Sequence, residues 1–168
     1  MEYISIEKAK SLGGLRLVLT GGVPGPWSEA AKGLFRVRGV DYAPVFQEGG
    51  GANEAILAWT GHRNAPTAMY NDEAARVTPV EMINLAERLG SGPSLVPDAI
   101  AERVTMFGLL NEIAGEQGFA WSARTLMFAA MVENAGEAAM ASNPMLADYH
   151  FDTTEVATAP AKIIAVLE

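Results

Sequence analysis

The sequence predicts an α/β domain of four strands, followed by an all-helical domain. Residues 15–89 alternate strand patterns with helix patterns, whereas residues 94–168 carry mainly helix patterns. The segment GSGP, rich in the residues that favour linkers, separates the two halves. The chain has 168 residues and 49% apolar content, which is enough to bury a core. We therefore predict domains at residues 1–89 and 94–168.

The first half opens with a short helix, a buried strand and an amphipathic helix. Ser5 precedes the helical stretch IEKAKSL, and its hydroxyl can cap the first turn. Leu15–Thr20 is a mostly apolar run between glycines, which predicts a buried strand. The amphipathic pattern covers Trp27–Arg38, and Gly39 ends it. The loop GGVPGP, residues 21–26, therefore joins the end of a strand to the start of a helix.

Three further strands are expected in this half. Residues 40–46 have a strand pattern that contains Pro44, which favours an edge strand. A short helix is predicted over residues 52–59. A strand pattern follows Pro66, because the missing N–H of a proline costs least just before a strand. The last strand is expected between the turn at Asn71-Asp72 and the next helix.

Helices dominate from Pro79 onward. Thr78 is the predicted N-cap of a helix over Pro79–Leu89, with the proline in its first turn. Apolar spacing predicts two more helices over residues 98–117 and 121–140. The final helix, residues 159–168, is apolar to its end and lacks a capping residue. It is therefore either part of a truncated domain or a short helix that needs no cap, and both interpretations remain open.

The composition argues against several classes of protein. The chain has no cysteine, which removes disulfides, thiolate nucleophiles and cysteine-based metal sites. Its histidines, His62 and His150, lack the spacing of metal ligands, so no metal is expected. The net charge of −8 argues against nucleic-acid binding, which needs a basic stripe. Without a secretory signal or a membrane-spanning segment in the sequence, we expect a soluble, cytoplasmic protein.

The order of the elements and three short segments resemble the glutathione transferase superfamily. GLFRVRGVDYAPV, residues 33–45, looks like the first helix of the family running into its second strand. Residues 64–67, NAPT, look like its cis-proline loop, and residues 82–89, MINLAERL, look like its third helix. The resemblance covers residues 15 to about 135. It implies a thioredoxin-like domain with a mixed four-stranded sheet, a shortened helical domain, glutathione as co-substrate, an apolar electrophile and a homodimer.

The resemblance also implies a glutathione site made largely of main-chain groups. The backbone of Ala65, before Pro66, would bind the cysteinyl part of glutathione like an added strand. The helix start at Trp27 would favour a thiolate through its dipole, with the indole beside the ligand. The helix start at Thr78 would hold the γ-glutamyl carboxylate. The candidate glutathione-binding residues are therefore Trp27, Ala65, Pro66 and Thr78.

Two departures from the family pattern leave the activity open. The Ser, Cys or Tyr that contacts the thiol in many members falls on Gly25 or Gly21, which have no side chain. The nearest hydroxyls are those of Thr20 and Ser28, and Ser28 is either a catalytic thiol activator or a helix cap. The acidic-Ser pair of the third helix is replaced by Thr78-Pro79. The expected function is reaction of glutathione with an apolar electrophile, and the alternative is a non-catalytic binding or assembly protein.

Overall fold

The chain forms two compact units, Met1–Asp98 and Ala99–Glu168. The computed structural model describes residues 1–22, 24–136, 143, 146 and 151–168. The division between the units falls after residue 98, whereas the sequence analysis ended the first domain at residue 89. Residues 90–98 therefore belong to the first unit.

The first unit is built on a mixed sheet. Its strands are β1 (Leu15–Thr20), β2 (Ala43–Gln47) and β3 (Thr67–Tyr70). β1 is central, parallel to β2 and antiparallel to β3. The sheet of the described residues has three strands instead of the predicted four, because the expected last strand is reduced to one bridge between Ala68 and Arg76. A turn directly after β3, where the Glu73 amide donates a 3.0 Å hydrogen bond to the Tyr70 carbonyl, takes up the start of the short segment before the next helix and leaves little chain for a strand.

β2 is an edge strand, as Pro44 predicts. It begins at Ala43 and not at Val40, because the Val40 amide donates a 2.8 Å hydrogen bond to the Phe35 carbonyl at the preceding helix. The outer edge of β2 is partly covered by the N-terminal segment, where the Ile4 amide donates a 2.9 Å hydrogen bond to the Pro44 carbonyl.

Helices cover both faces of the sheet. They are α1 (Ile6–Ser11), α2 (Pro26–Val37), α3 (Glu54–Thr60) and α4 (Pro79–Leu89). Leu17 and Leu19 of β1 pack in one core cluster with side chains of α2 and α4. Val18 packs in a second cluster with Val45 of β2 and Ile56 of α3. β1 is buried on both faces, which explains why its sequence is mostly apolar and not alternating, with Arg16 as a buried charged residue within it.

Arg38 fastens the segment that follows α4. The residue is 6% exposed, and its guanidinium donates to the backbone carbonyls of Glu87 and Gly92. The Glu87 carboxylate in turn accepts a 2.7 Å hydrogen bond from the Leu95 amide. A Cβ at Gly92 would overlap a backbone oxygen of α2, so this glycine is required by close approach and not by linker flexibility. Residues 90–98 are thereby bonded to the first unit.

The second unit is helical throughout its described elements. They are α5 (Ile100–Ala114), α6 (Phe119–Ala135), α7 (Thr153–Val156) and α8 (Ala159–Leu167). α6 packs against α8, and its Phe128 is buried with a T-shaped contact to Phe151 at 6.0 Å between ring centroids. None of the α5 residues is buried. α6 ends at Ala135, and residues 137–140 of the predicted helix lie outside the described part of the chain.

Candidate functional site

The strand register brings several candidate residues to one end of the sheet, where β1 ends and β3 begins. β1 and β2 pair so that Thr20 lies opposite Gln47. β1 and β3 pair in the antiparallel sense, with Val18 opposite Thr67. Thr20 lies two residues beyond the last paired residue of β1, at the same end of the sheet as the start of β3. The end of β1 therefore faces the loop that carries the predicted cysteinyl-binding backbone.

A bridge on the side of β3 that faces away from β1 brings the start of α4 toward the same end of the sheet. Ala68 and Arg76 exchange two hydrogen bonds of 2.9 Å in an antiparallel bridge. Because the bridge is antiparallel, the chain after Arg76 runs toward the end of the sheet where β3 begins, and Thr78 follows two residues later. The Ala65–Pro66 peptide bond is cis. Three of the four candidate glutathione-binding residues, Ala65, Pro66 and Thr78, thus belong to one end of the sheet.

A buried glutamine joins the end of β1 to the loop before Pro66 at this end of the sheet. Gln47 is 2% exposed, and its side-chain oxygen accepts a 3.0 Å hydrogen bond from the Thr20 hydroxyl. Its side-chain nitrogen donates a 3.3 Å hydrogen bond to the Arg63 carbonyl in the loop before Pro66. Gln47 is not among the residues that the sequence pattern indicates. The available signal was a polar residue directly after the apolar run of β2, and such a residue reads equally well as the end of a strand.

The start of α2 supplies the other candidates. Its N-cap is Gly25, which makes no side-chain cap, and Trp27 in the first turn is half-buried. Ser28 is 3% exposed, and its hydroxyl oxygen accepts a 3.4 Å hydrogen bond from the Thr20 amide. Ser28 is therefore not the helix cap; it links α2 to β1. Its catalytic role remains a prediction, and burial argues against it because a ligand must reach the hydroxyl.

The position where the family pattern has a tyrosine is closed by another side chain. A Cβ built at Gly21 would overlap the ring of Phe46, which extends from β2. Phe46 is 49% exposed, and its ring makes a T-shaped contact with Tyr3 at 5.6 Å between centroids. A side chain at residue 21 would therefore require the ring of Phe46 to move. An aromatic ring takes part of the space that the missing hydroxyl-bearing side chain would need.

The start of α4 is capped as predicted. Thr78 is the N-cap, and its hydroxyl oxygen accepts a 3.3 Å hydrogen bond from the Glu81 amide. The Glu81 carboxylate reaches back and accepts hydrogen bonds of 3.0 Å each from the Val77 amide, the Thr78 amide and the Thr78 hydroxyl. The bond from the Thr78 amide, then that from Val77, lowers the pKa of Glu81 below its usual value. Glu81 is therefore an ionised carboxylate at neutral pH.

The described residues were compared with the requirements of a metal site and of a membrane-spanning helix. Within them, no group of three or more His, Asp or Glu side chains is arranged to hold a metal ion. His62 is exposed, and His150 lies outside the described residues. No helix of that same part of the chain combines the length and the apolar character needed to cross a bilayer.

The architecture is similar to solved glutathione transferases. A glutathione S-transferase from Methylobacterium radiotolerans, in complex with glutathione sulfonate, aligns with 91% of this chain and 63% of its own, at a TM-score of 0.59 and 13% identity. Ure2p in complex with glutathione aligns with 92% of this chain and 65% of its own, at a TM-score of 0.58 and 14% identity. A glutathione S-transferase from Xanthobacter autotrophicus aligns with 92% of this chain and 67% of its own, at a TM-score of 0.57 and 14% identity.

These similarities define the fold of the chain as that of the glutathione transferases. Identities of 13 to 14% establish the fold alone. The chain spans 63 to 67% of the length of these three proteins. No protein-family model and no curated protein sequence matches the chain.

Proposed function

We propose that the first unit binds glutathione, as in a glutathione transferase-like protein. The observation that supports this proposal is the strand pairing: β1 is antiparallel to β3 and Ala68 bridges Arg76, so the end of β1, the cis-Pro66 loop and the start of α4 lie toward one end of the sheet. Two of the structurally similar proteins are complexes with glutathione or its sulfonate. The proposed contacts are the backbone of Ala65, the Pro66 loop, Thr78 and the indole of Trp27.

The proposed chemistry relies on the start of α2. A helix N-terminus favours an anion nearby, so it would lower the pKa of a bound thiol and raise the fraction of thiolate. The thiolate would attack an electrophilic carbon of an apolar substrate, forming a C–S bond while the leaving group departs as an anion. The family resemblance adds a homodimer to this proposal. Without a side chain at Gly21 or Gly25, and with Ser28 buried, main-chain amides carry this task.

The same observations favour a second candidate, a non-catalytic glutathione-binding protein. A hydroxyl or thiol beside the sulfur is the usual aid to ionisation, and the positions that match it hold glycine. A protein of this kind would hold glutathione or a γ-glutamyl peptide without accelerating its reactions. Binding is therefore common to both candidates, and catalysis separates them.

Thermal unfolding with added glutathione tests the shared part of the proposal. A ligand that binds only the folded state at 100 times its Kd stabilises the protein by about 2.7 kcal/mol. We expect the unfolding midpoint to rise with glutathione and to stay unchanged with glycylglycine as a control for ionic and peptide effects. A midpoint that glutathione leaves unmoved up to tens of millimolar would refute binding. Conjugation of an aryl halide, measured against the uncatalysed rate, then decides between the two candidates.

A further inference from the structure

A cavity of about 580 Å³ opens on the first unit, beside the connection between α2 and β2. Small-molecule sites in proteins commonly enclose about 300–1,000 Å³. The lining includes Lys32 and Arg36 of α2, and Asp41 and Tyr42 of the connection. The cavity borders the start of β2, whereas Gln47 at the end of this strand lies beside the end of β1 and the proposed glutathione site. The cavity is therefore at the opposite end of the sheet from that site.

Two hydrogen-bond donors of this cavity have no partner within the described residues. Arg36 is exposed in the last turn of α2, and its guanidinium forms no ion pair or hydrogen bond with any of them. The ring of Tyr42 packs against Phe35 at 6.4 Å between centroids, and its hydroxyl has no hydrogen-bond partner in the same part of the chain. Burial raises the pKa of Tyr42, so this hydroxyl is protonated at neutral pH and can donate. A guanidinium and a phenol hydroxyl are both donors that bind a carboxylate.

The other unpaired charges of the lining are negative. Lys32 is neutralised by its ion pair with Glu29, one turn earlier in α2. Glu2 and Asp41 are exposed, and their carboxylates form no ion pair with the residues that the structure describes. A simple anion would therefore be repelled by these two carboxylates, and a simple cation would be repelled by Arg36. A ligand that carries both charges matches this lining best.

Gly33 leaves space for an apolar group above α2. It lines the cavity, and a Cβ built on it would meet no atom within 4 Å. Neither close packing nor a left-handed backbone requires a glycine at this helical position, where glycine is less favourable than alanine. Its consequence here is an open floor, beside which Val40, Tyr42 and Pro44 supply apolar surface.

We propose that this cavity binds a free α-amino acid with an apolar side chain. The carboxylate of the ligand binds Arg36 and Tyr42. Its ammonium group binds Glu2 and Asp41, and its side chain lies over Gly33. This inference goes beyond the proposed function, because it concerns the other end of the sheet and involves no thiol.

The test is isothermal titration calorimetry with L-phenylalanine as the probe. Two related compounds each lack one charge: 3-phenylpropanoate lacks the ammonium group, and 2-phenylethylamine lacks the carboxylate. We expect L-phenylalanine to bind the wild-type protein and both related compounds to bind at least about tenfold more weakly. Arg36→Gln should weaken L-phenylalanine binding by about tenfold or more. Lys10→Gln, the matched control, removes an exposed positive charge from α1 and should change the affinity by less than about twofold.

Gly33→Leu separates loss of the site from loss of the fold. Leucine fills the space above α2 and forms helix more readily than glycine does. The thermal unfolding midpoint should therefore rise or stay the same, while binding of L-phenylalanine is lost.

The inference is overturned if L-phenylalanine at tens of millimolar does not bind the wild-type protein, or if either related compound binds as tightly. It is also overturned if Arg36→Gln, or a folded Gly33→Leu, keeps the wild-type affinity. If Gly33→Leu does not fold, Arg36→Gln alone decides. Glutathione is absent from these measurements, so this inference and the proposed function fail independently of each other.

Discussion

Replacing Gln47 by methionine tests whether the buried amide holds the site edge together. Methionine matches glutamine in length and lacks branching, so Gln47→Met keeps most of the packing and removes one donor and one acceptor. The Thr20 hydroxyl then loses its 3.0 Å partner, and the Arg63 carbonyl loses its 3.3 Å partner. The substitution therefore acts on two of the segments that meet at the end of β1.

The expected loss of stability follows from these two contacts. A buried polar group that loses its partner costs about 1–3 kcal/mol. Two such losses add to about 2–6 kcal/mol. Thr20 is half-buried and Gln47 is 2% exposed, so partial access of water to Thr20 places the total near the lower end of that range. We expect Gln47→Met to lower the free energy of unfolding by about 2 kcal/mol. Thr20→Val, which removes only one of the two contacts, should lower it by about 1 kcal/mol.

Urea unfolding of the wild-type protein, both single variants and the double variant measures these values. In a double-mutant cycle, residues in contact show a coupling energy, which we expect to be about 1 kcal/mol between Thr20 and Gln47. The reasoning is refuted if Gln47→Met unfolds within about 0.5 kcal/mol of the wild-type protein, or if the two substitutions are additive. Amide hydrogen exchange along β1 assigns the loss to the first unit.

Three further predictions address packing, charge and the start of the loop. Gly92→Ala should destabilise the first unit and make residues 90–98 more susceptible to proteolysis, because its Cβ overlaps a backbone oxygen of α2; unchanged proteolysis contradicts this. The pKa of Glu81 is lowered from 4.5, so its charge stabilises the fold above that pH, and this contribution is lost as the pH falls through the folded pKa. The stability advantage of the wild-type protein over Glu81→Gln should therefore shrink as the pH falls below 4.5. A difference in the free energy of unfolding that stays constant with pH, measured by urea unfolding at acidic pH, argues against this prediction. Gly21→Ala should destabilise the protein, and adding Phe46→Ala should recover part of that loss, whereas an additive double variant would show that the ring is not the obstacle.

Local signals in the sequence determined most of the secondary structure. β1 covers the predicted residues Leu15–Thr20, because an apolar run between glycines is readable without any partner strand. Thr78 caps α4 as predicted, because an N-cap and its helix lie within one turn of each other. The edge position of β2 followed from Pro44 alone, since a proline lacks the amide that a central strand must donate.

Contacts between residues distant in sequence decided what the pattern could not. The expected last strand became a single bridge at Arg76, because the turn after β3 leaves little chain that can pair with β3. Ser28 turned toward Thr20, and Gln47 reached the loop before Pro66, through bonds that span 8 and 16 positions of the chain. The type of a polar residue does not show whether its side chain contacts a ligand, a helix or a strand end. Only the tertiary structure could decide which of these it contacts.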